Sequence, residues 1–180
     1  SNNMVIKGAV RANKIKHIIT TPVEHHAVLY PAQYMKKQGI KLTIIPVDKY
    51  GLIDISKLEK SITSNSLVSV IFANNEIGTI QDIKAIGKIC KKKKALFHTD
   101  AVQAFGKIPI DVNKMNIDFL SASSHKIYGP KGVGLLYVRK GVKIETMAHG
   151  GGHESGLRSG TENIPGIVGF AEAADICRKE

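Results

Sequence analysis

Cysteine is nearly absent from this sequence: Cys90 and Cys177 are the only two in 180 residues. Their spacing matches neither a metal-binding nor a redox pair, so chemistry built on paired thiols is excluded. Also missing is any apolar run long enough to cross a bilayer, and the first residues carry no signal-peptide pattern. With so few thiols, these absences favour a reducing compartment: the cytoplasm or, after loss of a leader, an organellar matrix. Aromatic residues make up only 6% of the chain and do not interleave with the basic ones, and no nucleic-acid-binding motif occurs. The formal net charge of +11 is therefore not read as a nucleic-acid surface. No internal repeat, low-complexity tract or interdomain linker divides the chain, so residues 1–180 read as one domain.

What is present is ordinary for a globular domain. Hydrophobic residues at 43% and charged residues at 23% suit a chain of 180 residues, long enough to bury most of its surface around one core. The densest basic run, Lys91 to Lys94, closes a helical pattern whose apolar stripe is Ile83, Ile86, Ile89 and Cys90. Cations in a last helical turn complement the helix dipole and stay solvated. A basic face of this kind suits an acidic protein partner, because electrostatic steering needs only charge.

Strand and helix patterns alternate along the chain. Lys16 to Thr20 reads as a strand, followed by a helix from about Ala27 that Gly39 ends. Lys41 to Pro46 is a second strand, and Ile55 to Ile62 a short helix. Leu67 to Ala73 is almost wholly apolar, the pattern of a strand covered on both faces. A helix near Asp82 to Lys93 precedes a strand ending at His98, and Ile117 to Ser121 makes another. Val133 to Arg139 is the last strand, and Pro165 opens a final helix with Ile167, Phe170, Ala174 and Cys177 among its apolar positions. Alternation of this kind predicts an α/β fold, a mainly parallel sheet with helices on both faces. The short link before Val133 predicts a hairpin, so the last strand is expected to run antiparallel.

The chemistry concentrates in two segments. Ser123 to Gly132 reads Ser-Ser-His-Lys-Ile-Tyr-Gly-Pro-Lys-Gly and places Lys126 after a strand and before a forced turn at Tyr128-Gly129-Pro130. A lysine desolvated there becomes a nucleophilic amine fit to form a Schiff base; the plain alternative is a solvated surface lysine. Upstream, Asp100 follows the apolar run Ala95-Leu96-Phe97 and so sits at the carboxyl end of a strand, the edge where open α/β sheets bind ligands. A carboxylate there, paired with a Schiff-base lysine, is what pyridoxal phosphate requires: the acid keeps the ring nitrogen protonated while the amine holds the aldehyde. A helix-capping or solvated Asp100 is the competing reading.

These segments carry a resemblance. The chain resembles the class V aminotransferase group of pyridoxal-phosphate enzymes, and within it the cysteine desulfurases of the iron-sulfur-cluster and nitrogen-fixation type. The matching segments are Ser1-Asn2-Asn3, Thr21 to Leu29 around Glu24-His25, Ala73 to Gly78, His98 to Gln103, Ser123 to Gly134, and His149 to Thr161. The resemblance implies a fold-type-I large domain, pyridoxal 5'-phosphate as cofactor, and conversion of L-cysteine to L-alanine with sulfur passed on as a persulfide. It gives Lys126 the Schiff base and the alpha-carbon proton, Asp100 the ring nitrogen, and His25 the stack on the ring together with proton transfer. Asn75 and Gln103 are assigned to the phenolic oxygen, with Asn74 the weaker candidate; Ser123 and His125 are assigned to the phosphate. Thr161 is expected to reach the phosphate of a partner subunit's cofactor, which implies a homodimer. An iron-sulfur scaffold or other sulfur acceptor is the expected protein partner.

Departures accompany the match. Family members are roughly twice this long, so the chain is expected to be the large-domain part, without the small domain, the mobile-loop cysteine or the substrate-gripping arginine, and not to turn over alone. Ser1-Asn2 fits the family and would equally fit a purification scar. Cys90 and Cys177 lie on helical apolar stripes and read as inert packing. A zinc site at His149 and His153 lacks the ligands to complete a shell. Another class V enzyme, an aminotransferase or selenocysteine lyase, and a non-catalytic module built on the same fold remain the alternatives.

Overall fold

The computed structural model describes residues 1–179. Six strands form one sheet: β1 (His17–Thr20), β2 (Lys41–Ile44), β3 (Ser66–Ile71), β4 (Leu96–Asp100), β5 (Phe119–Ser123) and β6 (Gly134–Val138), in the spatial order β2-β1-β3-β4-β5-β6. All neighbours are parallel except β5 and β6, which pair antiparallel. The predicted α/β class with one reversed strand is what the chain adopts. β3, Ser-Leu-Val-Ser-Val-Ile, is buried at every position, as a central strand covered on both faces must be. At the edge, β2 is exposed at both ends and half-buried at Leu42 and Thr43 between them.

Two apolar layers flank the sheet. On one face α3 (Ile55–Ser61), α4 (Ile83–Lys92) and α5 (Ile164–Lys179) place Leu58, Ile86 and Phe170 against Val68, Val70 and Phe97. On the other, a helical segment wound as π-helix over Met4–Ala9 and continued by α1 (Val10–Ala12) joins α2 (His26–Lys37), so that Ile6, Val28 and Met35 cover Ile18, Leu67 and Phe119. Phe97 and Phe119 are fully enclosed, each contributing roughly 1.5–3 kcal/mol of burial. Local signals start and stop the helices. Asp54 and Asp82 accept from the Lys57 and Ala85 amides to cap α3 and α4, and Gly39, at φ +87°, ends the turn after α2.

Several boundaries differ from the sequence expectation. β5 lies two residues later than Ile117 to Ser121, because Ile117 is held in the preceding turn, where its amide donates to Val112 O. The link to β6 is not a tight hairpin: residues 124–133 intervene and contain a single 3₁₀ turn, Ser124–Ile127. The amino-terminal helical segment was not expected at all.

Candidate functional site

The parallel strands end together. Thr20, Ile71, Asp100 and Ser123 close β1, β3, β4 and β5 at one edge, and the reversal of β6 brings Gly134 opposite Ser123 at the same place. Chain order switches sides between β1 and β3, where open sheets leave a crevice.

Asp100 is the centre of this edge. Its carboxylate is 3% exposed; Oδ2 accepts from Asn2 Nδ2 at 2.6 Å and Oδ1 from the Val102 amide at 3.0 Å. Burial pushes the carboxyl above the usual range, while the two hydrogen bonds and the nearby His25 pull it back toward the ionised form. Beside it opens a cleft of about 440 Å³, walled by Asn2, Val102, Ser121, Ser123, His125 and the side-chain-free Gly132 and Gly134 among others. A methyl on Gly134 would press the Ala122 carbonyl at 3.0 Å, tighter than an ordinary contact.

On the rim, Ser123 Oγ and His125 Nδ1 are hydrogen-bonded at 2.9 Å. Lys126 follows on the 3₁₀ turn, half-buried, adjacent to the cleft wall and not part of it. The turn closes at Tyr128, which is left-handed (φ +63°) and almost fully exposed, and Gly129 packs so tightly on Ser124 that a side chain there would collide with its hydroxyl.

His25 caps α2: its Nδ1 accepts from the Ala27 amide at 3.1 Å, leaving Nε2 free. His26 instead stacks on Tyr30, with ring centroids 4.7 Å apart. Asn74 is committed to its own turn, donating to Val23 O and accepting from the Glu76 and Ile77 amides. Asn75 is exposed. Gln103 is half-buried and accepts from Lys107 four residues on. Thr161 is exposed in the loop before α5 and does not line the cleft of its own chain. The structure thus gathers Asp100, Ser123 and His125, with Lys126 and His25 alongside; Asn75 and Thr161 are exposed and, like Gln103, do not line the cleft.

Sequence reasoning missed the supporting layer. Glu24 is buried on the loop that carries His25, bonded to Thr21 and to the Ile71 amide. His98 is wholly enclosed between Ser69 Oγ (2.8 Å) and Ser121 Oγ (3.1 Å), and burial pushes its pKa down to about 3. It is a neutral bridge across β3, β4 and β5. Cys90 is buried in the core, which drives its thiol pKa far up, and Cys177 packs half-buried against the same layer. Among the described residues no group of three or more His, Cys, Asp and Glu side chains could hold a metal ion. No helix there is long and apolar enough to cross a membrane.

These features fit a flat, anionic, nitrogen-bearing ring. A buried acid stands at the strand edge beside the cleft, Asn2 Oδ1 and Ser124 Oγ are buried without partners, and a hydroxyl and an imidazole sit together on the rim.

Comparison with known proteins agrees. The family model described as Aminotransferase class-V matches residues 1–180. A protein of Clostridium botulinum named cysteine desulfurase IscS is 55% identical over 179 residues, 98% of this chain and 45% of its own length. A Saccharomyces cerevisiae protein named cysteine desulfurase, mitochondrial, is 57% identical over 185 residues, all of this chain and 37% of that one. A solved structure named NifS-like protein superposes with a TM-score of 0.96 at 47% identity, covering 100% of this chain and 51% of its own. The chain spans less than half the length of the two curated relatives.

Proposed function

Because this chain belongs to the class-V aminotransferase family, we propose that it is the cofactor-binding part of a cysteine desulfurase serving iron-sulfur cluster assembly. The cofactor is pyridoxal 5'-phosphate, which supplies an electron-withdrawing ring that stabilises negative charge at the substrate's alpha carbon. L-cysteine and an acceptor thiol give L-alanine and a persulfide, so atoms balance without an added oxidant.

The chain's residues divide the remaining work. Asp100, buried at the end of β4, holds a proton on the ring nitrogen by presenting a carboxylate that water cannot reach. Lys126 anchors the cofactor through Nζ and, once free, carries the alpha-carbon proton. His25, with Nε2 unused by its cap, would stack on the ring and take part in proton transfer. Ser123 and His125, paired on the rim, would hold the phosphate. Asn75 and Gln103 would hydrogen-bond the phenolic oxygen. Thr161 serves the site of a second copy, which makes the working unit a homodimer. The acceptor thiol is neither Cys90 nor Cys177, since both are packed in apolar layers. An iron-sulfur scaffold or similar acceptor then takes the sulfur, in the cytoplasm or an organellar matrix.

The observation that carries this reading is the buried Asp100 carboxylate beside a cleft rimmed by Ser123 and His125, with Lys126 on the adjoining turn. Borohydride treatment of the full chain loaded with pyridoxal phosphate should fix the cofactor to the peptide containing Lys126, read by mass spectrometry. Lys126→Ala should abolish the fixed adduct. An adduct that survives the substitution overturns the assignment.

A further inference from the structure

Glu24 has no part in the chemistry above, yet its surroundings are as specific as those of Asp100. It is 6% exposed on the loop between β1 and α2, immediately before His25. Its Oε1 accepts from the Thr21 hydroxyl at 2.7 Å and from the Ile71 amide at 2.9 Å. Both partners donate, so a proton on this carboxyl belongs on Oε2. That oxygen is buried and has no hydrogen-bond partner.

The placement relative to Asp100 is set by the sheet. Ile71, whose amide binds Glu24, is the register partner of Asp100 across β3 and β4. The two acids therefore meet the sheet at one level. Among the described residues neither makes an ion pair with a lysine or arginine. Two enclosed carboxylates at such a place repel, and an ionised oxygen without donors is far costlier to bury than a neutral one. Asp100 has donors on both oxygens and Glu24 on one only. The charge settles on Asp100.

We propose that Glu24 is a positioning residue held as a neutral acid, so that Asp100 is the lone anion of the site and the loop bearing His25 is pinned to β3. The protonation of Glu24 stands on the geometry alone; its meaning for the cofactor rests on the function proposed above. Burial pushes the Glu24 carboxyl up to about 8, the charge of Asp100 adds to this, and the bonds from Ile71 and Thr21 oppose it. From β4, Asp100 is the charged group that acts on Glu24; His25, next on the loop, acts on Asp100. β3 contributes only the Ile71 amide.

Infrared spectroscopy of the full chain, with glutamate carboxyls isotope-labelled, tests this directly. A carbonyl band of a protonated glutamic acid should be present at pH 7, fade with a midpoint near pH 8, and be missing in Glu24→Gln. No such band at pH 7, or a band that persists in Glu24→Gln, overturns the proposal. If Glu24→Gln does not fold, Thr21→Val carries the test: losing a bond that favours the ionised form should move the midpoint upward, and a midpoint that stays or falls counts against it. Failure of cofactor attachment at Lys126 would remove the proposed function and leave this band untouched.

Discussion

At the residue scale, two enclosed groups titrate in opposite directions. His98 has its pKa depressed to about 3 from 6.5, so the folded state binds fewer protons than the unfolded chain below neutrality. The stability it permits is present above pH 6.5 and is lost as pH falls toward 3. Glu24 is raised from 4.5 to about 8, so its contribution is full below pH 4.5 and declines as pH rises to 8. Each unit of separation is worth about 1.4 kcal/mol, so either group alone can move stability by a few kcal/mol. His98→Asn should flatten the acid limb of a denaturation midpoint measured from pH 9 to 3.5, with the alkaline limb unchanged. An acid limb as steep as in the parent would show that other groups drive acid unfolding. Little of this was legible in the sequence. Asp100 and Lys126 advertise themselves by motif, whereas a serine on each neighbouring strand turns His98 into a bridge only once the register is known.

At the element scale, alternation of apolar runs with capped helices was enough to read the order of strands and helices from β1 to α5. The reversed β6 was legible because its link is too short for a helical crossover. What failed was local. The amino-terminal segment mixes Lys7 and Gly8 into its apolar pattern and winds partly as π-helix, which spoils a 3.6-residue period. The two-residue error in β5 arises because Ile117 and Phe119 are equally buried, one in a turn and one in a strand. Packing between elements is tightest at Gly87, where any side chain on α4 would run into the Met115 carbonyl. Gly87→Ala should therefore lower stability by about 1–3 kcal/mol in urea denaturation despite alanine's better helix propensity, while the exposed Lys88→Ala should stay within about 0.5 kcal/mol. A stabilised Gly87→Ala would mean the loop at Met115 yields freely.

At the scale of the whole molecule, the assigned site is divided between two copies if Thr161 serves its neighbour. That division can be tested by mixing. On the proposed assignment, full chains carrying Lys126→Ala should fail to anchor the cofactor, and chains carrying Thr161→Val should grip its phosphate poorly. A hybrid dimer restores one complete site from the intact Lys126 of one copy and the intact Thr161 of the other. Random exchange makes half the dimers hybrid, so about a quarter of all sites should retain cofactor through dialysis, above either parent alone. Retention equal to the average of the two parents would place Thr161 outside the shared site.

The antiparallel course of β6 has a further result. It delivers the chain at Val138 to the opposite end of the sheet from the site, whereas Gly166 in α5 lies against Val133, back at the site end. Residues 139–163 must make the whole return journey, and among the described residues their hydrogen bonds to the rest of the fold lie near its start, where Arg139 bonds Asp118, Glu145 bonds Gly8 and Lys143 bonds Asn13. A protease nick between Met147 and Glu162 would consequently sever the backbone without unseating either fragment. The two pieces should co-elute as one particle, held by the seam of α5 against the turn that bears Lys126.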